Sequence, residues 1–208
     1  MKFFKRITLI VILLTIYILI SAFSYVSTVS NNISNSVFRL HVIANSDSED
    51  DQSLKYKVRD DLIKYMNSLT KNITSKEAAI EIAKQHKNDF YTIAKNTIKE
   101  NGYNYDVKID IGNSYFPTKY YGDISLPAGY YDALKVEIGE ASGQNWWCVM
   151  FPPLCFVDMS TGIVPDESKE TMKENLPTEE YALISSNSDK SLHFKFKLIE
   201  FFINNQPK

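Results

Sequence analysis

The chain has 208 residues, 44% of them hydrophobic and 13% aromatic, with a formal net charge of −2 at pH 7. That length suits one domain plus a targeting segment, and the apolar content is enough for a core, which excludes a largely disordered chain. A mildly acidic balance without a long basic run argues against nucleic acid and against a polybasic lipid patch, since both need clustered cations.

Lys2, Lys5 and Arg6 precede Ile7–Phe23 (ITLIVILLTIYILISAF), a run without charge. Setting those three cations aside leaves a net charge of about −5 for the remainder. The positive end stays cytoplasmic, so everything after the run is expected on the far side of the membrane. Two readings of the run compete. It is longer than a usual signal-peptide core and short for a transmembrane span. Ala22 and Ser24 supply small residues for cleavage after Ser24, which favours a signal peptide over an uncleaved anchor. Either way residues 7–23 contact the membrane at least during export. The expected organisation is residues 1–24 as signal peptide or anchor, 25–36 as a Ser- and Asn-rich linker, and 37–208 as one extracytoplasmic domain.

Val37–Asn45 (VFRLHVIAN) has strand character, with Phe38, Leu40 and Val42 on one face and Arg39 and His41 on the other. A helix follows. Ser46, Asp47 or Ser48 can cap it, and Glu49, Asp50 and Asp51 suit the positive end of its dipole. Leu54, Val58, Leu62, Tyr65 and Leu69 form its apolar stripe. A second helix is expected from Thr74, which has capping-box spacing to Glu77, through Ala79, Ile82, Ala83, His86, Phe90, Ile93 and Ile98 to a cap at Gly102. Tyr103–Gly112 alternates with a period of two, and further strands are expected at Tyr115–Tyr121, Ala133–Ile138 and Trp146–Met150. Asp166–Asn175 reads as a short helix and Leu192–Phe202 as a strand. Helices gathered early and strands late give an α+β domain: an N-terminal export helix, a β-α-α start, then a mostly antiparallel sheet.

The segment His41–Asp51 (HVIANSDSEDD) is the most polar. A calcium loop would need a glycine at its sixth position, and a phosphate site would need glycines where acids stand. Ser46 lies five residues from His41, which permits but does not imply a nucleophile–base contact. Helix capping explains the segment most simply; the other reading is a partner-binding edge. Cys148 and Cys155, separated by six residues, are either a disulfide or two buried thiols. A zinc site is disfavoured because the histidines are scattered, and Cys148 sits on a strand rather than at an activating helix start. Trp146 and Trp147, adjacent on a strand, must point to opposite faces.

Three segments carry a resemblance: FRLHVIANSDSEDDQSLKYKVRD (Phe38–Asp60), LPAGYYDALKVEIGEASGQ (Leu126–Gln144) and NWWCVMFPPLCFVD (Asn145–Asp158). Together they resemble the stage II sporulation protein R family of endospore-forming bacteria, across nearly the whole exported domain. The Tyr-rich stretch Tyr115–Tyr121 contributes little to it. The resemblance implies a non-enzymatic signal, made in the forespore and exported into the space between forespore and mother cell. There it would activate a membrane-embedded aspartic protease of the mother cell, stage II sporulation protein GA, which processes the precursor of sigma factor E. It supplies no catalytic motif, cofactor or metal. The partner-binding residues expected on this reading are His41, Asn45, Ser46, Asp47 and Trp147. The competing class is an exported cell-wall or peptide hydrolase, which would need an ordered nucleophile–base or carboxylate pair in a cleft.

Overall fold

The computed structural model describes residues 2–154, 164 and 166–185. The expected strand Leu192–Phe202 lies outside them, as does Cys155. Helix α1 runs from Lys2 to Ser36, followed by β1 (Phe38–Ile43), α2 (Glu49–Leu69), α3 (Lys76–Gln85), α4 (Lys87–Glu100), β2 (Val107–Phe116), β3 (Lys119–Tyr121), β4 (Ile124–Leu126), β5 (Gly129–Ile138), β6 (Asn145–Phe151), α5 (Asp166–Asn175) and α6 (Thr178–Ser185). The α+β reading with its β-α-α start holds.

Among the described residues a mixed sheet of four strands, ordered β2-β5-β1-β6, forms the centre. β1 runs parallel to β5 and antiparallel to β6, and β2 is antiparallel to β5. The parallel pair needs a crossover, which α2, α3 and α4 supply before the chain returns. One face of the sheet carries Leu40, Val42, Leu134, Val136 and Met150, packed under Leu54, Val58, Leu62, Phe90 and Ala94. The other face carries Tyr131, Ala133 and Val149, covered by Val29 and Ile33 of α1, the β3–β4 hairpin, α5 and α6.

Covering both faces changes the environment of β1. Every residue of that strand is buried, Arg39 and His41 included. The alternation Phe-Arg-Leu-His-Val-Ile therefore separates two cores, not core from solvent.

The second expected helix is two helices. His86 closes α3 and opens α4 at φ −98° and ψ 18°. Its Nδ1 meets the Tyr65 hydroxyl at 2.8 Å and the Asp89 carboxylate at 2.7 Å, so the ring is half-exposed at a joint and not part of an apolar stripe. Ser75 caps α3 by accepting from the Ala78 amide, one residue beyond the Thr74 expected for that role. Pro117 cannot donate to a ladder, and the expected strand Tyr115–Tyr121 is split between the end of β2 and β3.

The Ser- and Asn-rich stretch 25–36 is also not a linker in form, because α1 continues through it. Hydroxyls return to the preceding turn (Thr28 to the Ser24 carbonyl at 2.9 Å, Ser36 to the Ile33 carbonyl at 2.8 Å), which satisfies the polar groups within the helix. Val29 and Ile33 supply apolar anchors one turn apart. Lys76 holds the end of the helix, donating to the Ser34 carbonyl at 3.0 Å while pairing with Asp132 at 2.6 Å. The first part of the same helix is different: Phe3–Tyr25 is exposed throughout, and its apolar window buries nothing.

Removing residues 1–24 should leave the urea midpoint of the domain unchanged. Ile33→Ala should lower stability by about 2–4 kcal/mol, the usual cost of truncating a fully buried isoleucine. Equilibrium unfolding followed by circular dichroism checks both outcomes.

Candidate functional site

The polar turn after β1 is built as a latch. Ser48 caps α2 by accepting from the Asp51 amide at 3.2 Å. Asp51, 4% exposed, accepts from the Ser46 hydroxyl at 2.5 Å and from the Asn45 side-chain amide at 2.8 Å. Burial pushes the Asp51 carboxyl up, but hydrogen bonds from Ser46, Asn45, Tyr105 and Ser48 outweigh it and hold its pKa below the ordinary value.

The opposite side of the latch grips the loop between β5 and β6. Asn45 Oδ1 accepts from the Glu140 amide at 3.0 Å, the Asn45 carbonyl accepts from Ser142, and Asp47 accepts from the Gln144 amide at 2.7 Å. Two glycines make room. A Cβ at Gly139, which has a φ of +56°, would stand 2.2 Å from Asn45 Oδ1, and one at Gly143 would stand 2.2 Å from the Ser46 carbonyl. Capping, which explains this turn most simply from sequence, accounts for only half of it.

His41 lies inside this frame, not on the surface. It is 6% exposed, and its Nε2 meets Asn145 Oδ1 at 2.6 Å. Its ring stacks on Trp147 with centroids 3.8 Å apart, while Phe116 meets it edge-on at 5.9 Å. Burial holds the imidazole at about 4, below the ordinary 6.5, against the opposing pull of the Asn145 hydrogen bond. It is a neutral plate that backs Trp147.

Beside the latch lies a groove of about 590 Å³ along β6, the last strand of the sheet among the described residues. Its lining comes from both faces of the sheet. On the α2 side Trp146 meets Tyr56 edge-on at 5.3 Å, and the Arg59 guanidinium lies 4.4 Å from the Trp146 ring. On the other side Trp147 and Tyr121 line it. Tyr121 accepts from Arg39 at 2.6 Å and donates to the Trp147 carbonyl at 3.3 Å. Gln144 joins groove to latch: its amide serves Asp47, and its carbonyl accepts from Lys55 at 3.1 Å.

The five residues expected from sequence are thus brought together, in different roles. Asp47 is exposed, Asn45 and Ser46 are half-buried in the latch, His41 is internal, and Trp147 reaches the groove. The adjacent tryptophans do face opposite ways. Sequence reasoning missed Tyr56, Arg59 and the hairpin residues Lys119–Tyr121. The Tyr-rich run was the available signal, but its partners come from α2, far away in the chain. Cys148 is buried and disulfide-bonded. Among the described residues no group of three or more His, Cys, Asp or Glu side chains is arranged to hold a metal.

Residues 34–161 match the family model described as Stage II sporulation protein R. The chain belongs to the stage II sporulation protein R family. Over 144 residues it is 41% identical to Stage II sporulation protein R of Bacillus subtilis (strain 168), an alignment covering 68% of this chain and 64% of that relative. The chain thus spans just under two thirds of the relative's length. No solved structure matches it. The latch, His41, β6 and all the described lining residues of the groove lie within the residues that match the family.

The His41 environment predicts a pH dependence. The unfolded imidazole takes up a proton near 6.5 and the folded one only near 4, so its contribution to stability is present above 6.5 and is lost as pH falls between those values. The full loss is about 3 kcal/mol. His41→Gln should flatten the urea midpoint between pH 6.5 and about 5, above the range where carboxylates titrate.

Proposed function

We propose that this chain is an exported, non-enzymatic signal that activates stage II sporulation protein GA, the membrane-embedded aspartic protease of the mother cell, and so triggers processing of the sigma factor E precursor. Membership of the stage II sporulation protein R family carries this reading. The exposed apolar start of α1, preceded by cations, supports delivery from the forespore into the intermembrane space.

The domain works as a ligand, so its effect on the protease is a difference in affinity between two protease states. Moving an equilibrium from 1:99 to 99:1 takes about 5.5 kcal/mol of preference for the active state. The contact surface includes the exposed side of the turn at Asp47 and the Trp147 edge. His41 acts there through the ring it supports. A rigid latch suits the task, since a pre-ordered surface loses little entropy on docking.

Reconstitution in a non-sporulating host tests the proposal. Protease and sigma-factor precursor are co-expressed with the full chain, with a version lacking residues 1–24, or with neither. Precursor cleavage with the exported form alone is expected. Absence of cleavage in every arm, with all proteins folded, overturns the reading. In the same assay Asp47→Ala should reduce cleavage several-fold while leaving the circular dichroism spectrum unchanged; a folded, fully active variant would remove the turn from the contact surface.

A further inference from the structure

The groove along β6 is cationic on a domain that is otherwise acidic. Lys55, Arg59 and Lys119 line it, and among the described residues no carboxylate does. Among the described residues Lys55 and Lys119 form no ion pair, and Asp47 acts on Lys55 only through its field. Lys55 is 1% exposed, yet its ammonium meets only the neutral Gln52 and Gln144 oxygens. Burial, reinforced by the nearby Arg59 charge, lowers its pKa. Burial and the charge of Arg39 do the same to Lys119. Arg59 pairs with its chain neighbour Asp60, which is itself largely exposed.

Behind the groove lies Arg39, fully buried; among the described residues its Nη1 has no partner and only neutral oxygens lie within hydrogen-bond reach of its other nitrogens. On the α2 side the buried Nε1 of Trp146 also has no acceptor. The site therefore has positive charge and aromatic walls. Its volume of about 590 Å³ falls within the range usual for ligand clefts, roughly 300–1,000 Å³.

We infer that this groove binds an extended, carboxylate-rich segment of a partner protein, with acidic side chains against Arg59 and Lys119 and intervening apolar side chains against Tyr56, Trp146 and Trp147. Charge complementarity selects the occupant. Aromatic walls from both faces of the sheet favour a polypeptide over a lipid headgroup, because they offer contact to the apolar half of an alternating chain. The inference rests on the docking role proposed above only for which protein supplies the segment; the chemistry of the groove stands independently.

Both tryptophans of the chain line the groove, so intrinsic fluorescence reads it directly. The full chain in phosphatidylcholine nanodiscs is titrated with an acetylated, amidated octapeptide alternating Glu and Val. A saturable emission change is expected, absent with the matching Lys–Val peptide. Arg59→Glu or Lys119→Glu should weaken it about tenfold or more, as should a rise in salt, and Lys119→Gln provides a milder variant should a reversal fail to fold. No response to the acidic peptide, or a response indifferent to these substitutions, overturns the inference. So does an emission change with phosphatidylglycerol in the nanodiscs and none with peptide, which would assign the groove to lipid. Peptide binding without precursor cleavage in the reconstituted host would keep the groove and discard the protease. Full cleavage with a folded Arg59→Glu, Lys119→Glu double variant would keep the protease and detach the groove from it.

Discussion

A guanidinium buried in an aromatic core constrains this domain more than any other single group. Arg39 lies on the central strand β1 with no exposure, 4.0 Å from the Phe116 ring centroid and 4.6 Å from that of Tyr131. It donates to the Tyr121 hydroxyl at 2.6 Å and to the Cys148 carbonyl at 3.5 Å. Among the described residues no carboxylate pairs with it, and a buried charge so placed is tolerable only where ring faces and oriented dipoles replace its water. That requirement ties together β1, the end of β2, β3, β5 and β6. Burial pushes the Tyr121 hydroxyl up, against the field of Arg39, so it remains a neutral phenol able both to accept and to donate. The β3–β4 hairpin thus does more than cover a face: it completes the solvation of the arginine and, through Tyr121, shapes one wall of the groove.

The latch adds a second level of order. Asn45, Ser46, Asp47 and Asp51 give the β1–α2 turn a single arrangement, and the same groups fix the β5–β6 loop. Gly139 and Gly143 allow the close approach that this needs. The entry to β6 is therefore set by residues about a hundred positions earlier in the chain. Core, latch and groove are consecutive consequences of where β1 sits in the sheet, between a parallel and an antiparallel neighbour.

Much of this was legible in the sequence because it is local. The acids of the first α2 turn follow from the helix dipole, and the opposed tryptophans follow from the pleat. The residues of Asp166–Asn175 show a helix of the expected bounds. What escaped local reading depended on the second core. Arg39 and His41 looked like the solvent side of a strand because alternation cannot distinguish water from another layer. Residues 25–36 looked like a linker because their polar residues outnumber Val29 and Ile33, although two well-spaced anchors suffice to dock a helix. The groove was illegible for a related reason: Arg59, Lys119 and Trp146 are unremarkable alone, and only the fold gathers them.

The unbroken helix α1 has a mechanical consequence. Its docked part joins its apolar part with no change of secondary structure, so a chain retained in the bilayer would stand on a stiff post. Thirteen helical residues from Ser24 to Ser36 rise about 20 Å, at roughly 1.5 Å per residue. Such a post limits the height of the domain and its freedom to swivel. A partner would meet it within a shallow layer at the membrane surface, in a narrow range of orientations, during lateral rather than three-dimensional diffusion. Cut after Ser24, the same domain would keep its face and lose the height restriction, gaining reach away from the bilayer at the cost of local concentration.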